Sequence, residues 1–124
     1  MPEDYGITTT TETQDKLIGG SHEPIQIPVT LASGSGALSR GHVLGRVTAS
    51  GKYAPYDADL VDGTEVARAI LARDADATSE DVPTTAYVHG EFAKAGLSWA
   101  DQANDEGPGI LDLLDRGIFV KESF

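Results

Sequence analysis

The run D-A-D-L-V-D-G at 57–63 sets carboxylates at alternate positions ahead of a glycine, the residue types from which helix-loop-helix calcium sites take their oxygen ligands. The register is wrong for that chemistry. Counted from Asp57, the third ligand position is Val61, the glycine position is Asp62 and the bidentate Glu position is Arg68, so the run reads as a solvated acidic turn. G-R-V-T-A-S-G-K-Y at 45–53 has the glycines and lysine of a phosphate-cradling loop. Its glycines stand one residue too far apart, however, and Tyr53 replaces the Ser or Thr that would hold magnesium, so a hairpin turn at Gly51-Lys52 explains it better. G-S-G-A-L-S-R-G at 34–41 fails the dinucleotide pattern because Ser39 stands at the third glycine and no strand-helix-strand unit surrounds it. His22, His42 and His89 are scattered and read as ordinary hydrogen-bonded side chains rather than metal ligands. No G-x-S-x-G elbow presents a nucleophilic serine, and 20 acidic residues offer too many carboxylate pairs to single one out. The residues thus point to no catalytic group, metal or cofactor. Trp99, with Leu97 and Phe92 nearby, reads as an anchor, either in the core or at an interface.

The chain that must position these residues has 124 of them, enough for one domain with a core and too few for two. Fourteen glycines and six prolines imply many turns and little continuous helix, so β structure is expected to dominate. A formal charge of -11 repels a phosphate backbone, which argues against a nucleic-acid partner. With no cysteine, packing alone must hold the fold. The N-terminus lacks a basic start and an apolar stretch, and no 18-residue apolar run exists, so no membrane partner is expected and synthesis in the cytoplasm as a soluble protein is.

Residues 1–24 hold five Thr before position 14, Gly19-Gly20, and only Tyr5, Ile7, Leu17 and Ile18 as sizeable apolar side chains. Such a segment cannot offset an ordering entropy of roughly 1–2 kcal/mol per residue, so it is expected to be a mobile arm in the isolated protein. Y-G-I-T-T-T-T is nonetheless rich in β formers and reads as a strand awaiting a neighbour. The domain proper, 25–124, opens with I-Q-I-P-V-T-L, whose alternation is that of a half-buried strand and whose Pro28 places it at a sheet edge or bulge. A strand near 42–49, a turn at Ser50-Gly51 and an aromatic strand follow. Between Glu65 and Asp74 the periodicity of Val66, Ile70 and Arg73 predicts helix, whereas the flanking Asp-Gly and Asp-Ala-Asp suit a strand. A strand is predicted over 84–93. One short C-terminal helix is expected, capped by Asn104 and Asp105, with Pro108 in its first turn, Ile110, Leu111 and Leu114 on one face and Gly117 ending it; I-F-V closes the fold as a strand.

In order along the chain, G-H-V-L-G-R-V, G-K-Y-A-P-Y-D, D-G-T-E-V-A-R-A-I-L, Y-V-H-G-E-F and G-I-L-D-L-L-D-R-G-I-F-V resemble the lambda-type head decoration proteins of tailed bacteriophages. The resemblance covers roughly Ile27 to Phe124. It implies a mainly β single domain in which E-V-A-R-A-I-L is a strand, with no catalytic residues. It also implies a homotrimer that binds and stabilises the expanded capsid from outside, at three-fold and quasi-three-fold positions of the virion. The arm would then order against the major capsid protein by adding a strand to it. Position and composition assign this contact to Tyr5, Gly6, Ile7, Thr8, Thr9, Thr10 and Thr11, and leave Trp99 as a possible interface anchor. A free-standing β-rich binding module, for carbohydrate for example, is the alternative the composition allows.

Overall fold

The structure, a computed structural model, describes residues 23–122. Among these residues eight strands and one helix run in the order β1 (Ile25–Leu31), β2 (Gly36–Leu38), β3 (Val43–Arg46), β4 (Tyr53–Pro55), β5 (Ala67–Leu71), β6 (Ala75–Ala77), β7 (Val82–Ala93), α1 (Gln102–Asp115) and β8 (Ile118–Lys121), with a short 3-10 turn at Lys94–Gly96 before α1. The mainly β class with a single α-helix is as expected.

Five of the strands close into a ring. β1 lies antiparallel along the first half of β7, from Ile27 opposite Ala86 to Leu31 opposite Val82. β7 pairs with β5, β5 with β3 and β3 with β4, each antiparallel. A single parallel pair, Leu31 with Tyr53, joins β4 back to β1. The second half of β7 leaves the ring and carries β8 in parallel, from Gly90 with Ile118 to Ala93 with Lys121. The small ribbon of β2 and β6 stands apart as a second sheet.

One core fills the ring, built from Val29 and Leu31 of β1, Leu44 of β3, Ala69 and Leu71 of β5 and Ala86 of β7, with Ala77 of β6. A second lies outside it under α1, where Val43, Tyr56, Ala67, Ile70, Tyr87, Phe92, Leu113 and Ile118 pack together. β5 therefore buries both of its faces, Ala69 and Leu71 inward and Ile70 outward. A strand buried on both faces reads as a continuous apolar run instead of an alternating one, which is why periodicity over Glu65–Asp74 favoured helix. The strand implied by the resemblance is the one observed.

Boundaries differ in places. The strand near 42–49 is Val43–Arg46, where the chain turns through Gly51 N–H on the Val47 carbonyl into β4. The strand at 84–93 begins two residues earlier, at Val82. Pro28 does lie beside an incompletely paired edge, and a register irregularity sits between Ile25 and Gln26.

The largest correction concerns α1. It starts at Gln102 with Asp101 as its cap residue, so Asn104 and Asp105 are inside the helix and Pro108 is in its second turn. Asp105 reaches back, its carboxylate accepting the Asp101 N–H at 3.2 Å, much as the acidic residue of a capping box does. The face turned to the sheet is Asp105, Gly109 and Leu113, spaced four apart; Leu111 and Leu114 are 64% and 51% exposed. Gly117, at φ 86°, ends the helix as expected because a residue there must adopt the left-handed conformation that glycine tolerates.

Candidate functional site

Among the described residues, those singled out in the sequence include the acidic turn and the surroundings of Trp99. Tyr5 through Thr11 and His22 lie outside the described residues. The described chain starts at Glu23 and enters β1 at Ile25, which pairs with His89 and is 52% exposed.

In the acidic turn the carboxylates are engaged by their own loop. Asp57 accepts the Asp59 N–H at 2.9 Å, Asp62 accepts the N–H and hydroxyl of Thr64 at 3.0 and 2.5 Å, and Glu65 accepts the Gly63 N–H at 2.8 Å. These are short-range side-chain turns that fix backbone conformation. The hydrogen bonds from Thr64 hold the Asp62 carboxyl below its ordinary value of 3.8. Two longer links fasten the turn to the start of α1: Ala58 N–H to Asp105 at 3.1 Å and Asn104 Nδ2 to Asp59 at 2.9 Å. An open groove of about 350 Å³ runs past the turn, and Asp57 and Asp62, its ionisable groups, are turned to the amides of Asp59 and Thr64.

Trp99 is half-buried and rests on the outer core. Its ring meets Tyr56 edge to face, centroids 6.2 Å apart at 71°, a favoured aromatic geometry. Gly109 of α1 passes directly beneath: a Cβ there would sit 2.8 Å from the ring's Cη2 and 3.0 Å from Tyr56 Cε2, closer than any side chain tolerates. Tyr56 is 1% exposed, and its phenol is pushed up to about 12, first by burial and then by the carboxylates of Asp112, Asp105 and Asp57. Asp112 in turn accepts the Ala67 N–H at 3.1 Å, stapling α1 to the first residue of β5. Asp105, fully buried, does the same for the acidic turn.

The histidines do different jobs. His42 forms an isolated bridge with Ser98 ahead of β3, and burial lowers its imidazole below 6.5. His89, on β7, meets Phe119 of β8 edge to face at 6.3 Å. Among the described residues no three His, Cys, Asp or Glu side chains converge as a metal site.

Asp105 and Gly109, which set how α1 seats, were missed as structural residues because a helix start at Asn104 hides their spacing. Had the start been placed at Asp101, the four-residue steps Asp105, Gly109, Leu113 would have marked the inner face.

The acidic turn and Trp99 are thus both braced from α1, through Asp105, Asn104 and Gly109. No curated protein matches the sequence. The model of one family, bacteriophage lambda head decoration protein D, matches residues 7–108. That range begins at residue 7 and takes in all five strands of the ring, although it stops short of the terminal G-I-L-D-L-L-D-R-G-I-F-V motif. The chain therefore belongs to the bacteriophage lambda head decoration protein D family, and its role is decoration of the phage capsid.

Proposed function

We propose that this protein binds the outer surface of the expanded capsid as a homotrimer at three-fold and quasi-three-fold positions and stabilises the shell. Residues 1–24 act as a mobile arm and residues 25–124 as the docking domain. The arm orders by adding Tyr5–Thr11 as a strand to the major capsid protein. The observation that carries this reading is the family match, which extends into the arm as far as residue 7.

Ordering seven residues costs roughly 7–14 kcal/mol of backbone entropy. New backbone hydrogen bonds return about 1 kcal/mol each, and burial of Tyr5 and Ile7 about 3–6 kcal/mol together. A single arm is then marginal, and contacts from the folded domain must add to it. Three arms on one trimer raise the effective concentration of each at its neighbouring site, and strand addition is an established way for such segments to bind. Trp99, braced by Tyr56 and Gly109, is the anchor available to the domain contact.

The deciding experiment mixes purified protein with expanded, undecorated capsids and images where density appears. Density at three-fold positions is expected, with a chain lacking residues 1–20 staying folded but binding poorly. Absence of density, or full binding by the shortened chain, would overturn respectively the capsid site and the arm mechanism.

A further inference from the structure

β1 leaves most of one side unpaired among the described residues, since on that side only Leu31 meets a neighbour, Tyr53. Two prolines fix which groups face that way. In an antiparallel ladder, pairs that exchange N–H and C=O alternate with pairs whose groups point away from each other. Pro28 stands opposite Thr85, and Pro83 stands opposite Thr30, two places along the same alternate set. Neither proline has an N–H to exchange, so this set points away from the β1–β7 seam.

Two hydrogen bonds agree with that assignment. The N–H of Ala32, next in the set, reaches the Tyr53 carbonyl on the β4 side at 2.8 Å, and the Thr85 carbonyl accepts from Ala72 N–H on the β5 side at 3.0 Å. Gln26, Pro28 and Thr30 therefore turn their backbones to the open side. Pro28, exposed at its centre, interrupts the edge with a ring and no donor.

The same chain carries a segment, Tyr5–Thr11, whose composition suits a strand. A molecule with both a donor strand and an open acceptor edge can pair head to tail, a heterologous contact that does not close on itself. We infer that Pro28 denies the β1 edge to the arm of a second copy, so that free molecules stay unlinked and the arm is left for its capsid partner. This rests on the strand reading of the arm given above.

The test uses full-length protein. Pro28→Val restores the missing amide, and the variant is expected to form larger, concentration-dependent species in sedimentation velocity where the wild type keeps its distribution. Pro28→Ala, which restores the amide without a β-branched side chain, is expected to associate as well. Adding Thr9→Pro to Pro28→Val breaks the donor and should return the wild-type distribution, as should adding Thr30→Pro, which moves the gap along the same set. Variants at position 28 that melt like the wild type and do not associate overturn the inference, and so does association that survives Thr9→Pro. Thr9→Pro in the otherwise wild-type chain tests the arm separately: undiminished capsid binding removes the arm reading without bearing on whether position 28 controls association.

Discussion

Replacing Asp105 by Ala should be among the most damaging single changes in the domain. The carboxylate is fully buried and accepts the N–H groups of Ala58 and Asp101 at 3.1 and 3.2 Å, joining the acidic turn to the start of α1. A hydrogen bond to a charged acceptor contributes about 1.5–3 kcal/mol. The part-buried Ala58 amide loses that outright, whereas the Asp101 amide, on an exposed residue, recovers some of it from water. The expected loss is about 2–4 kcal/mol, a large share of a total stability of about 5–15 kcal/mol, and a fall in Tm on the order of 10–25 °C. Urea unfolding followed by fluorescence is well suited, because Trp99 is the only tryptophan and its ring lies over Gly109, one turn along from Asp105. Asp105→Asn keeps one acceptor and should lose about half as much. If Asp105→Ala unfolds within about 0.5 kcal/mol of the wild type with the same denaturant slope, the carboxylate is not the staple described here.

Gly109→Ala forces the Trp99 ring off its seat and should cost about 1–3 kcal/mol, seen as lower Tm together with a changed fluorescence of the folded state. Leu113→Ala should cost about 2–5 kcal/mol, while Leu111→Ser, on the exposed face of the same helix, should stay within about 0.5 kcal/mol; comparable losses would contradict the seating of α1. In a pH series of melting curves, stability should first fall below about 6.5, since the unfolded chain takes up the His42 proton before the folded one does, and His42→Asn should flatten that step. A second, shallow loss is expected below about 3.8. There Asp62, Asp76 and Asp81, held down by hydrogen bonds from Thr64, Thr78 and Lys52, are protonated more readily in the unfolded chain.

How much of this was legible varied with how each element is buried. β1 announces itself because only one face is covered, so its residues alternate, and the turn at Gly51 is written in its own glycine. β5 conceals itself because Ala69 and Leu71 face one core and Ile70 the other, which erases the alternation. α1 misleads for a different reason: its inner face is a carboxylate, a glycine and one leucine, so hydrophobicity points to Leu111 and Leu114, on the exposed side. β2 and β6 are three residues each and too short to carry any period. Among the candidate functional residues, the aromatic character of Trp99 was plain, while its dependence on Gly109 is a property of close approach that no sequence pattern expresses.

The pairing of β1 with β7 also has a consequence for the order of events during synthesis. Ile27 finds its partner only at Ala86, so the ring cannot close until the chain has been made as far as β7, with α1 and β8 still to come. At about 5–20 residues per second, β1 waits roughly 3–12 s for β7 to emerge. Such distant pairing also belongs to the slow end of small-domain folding. Throughout that interval both sides of β1 are open, including the side that β7 later covers and that Pro28 does nothing to guard. The growing chain is thus most exposed to mispairing in the seconds before its longest strand appears.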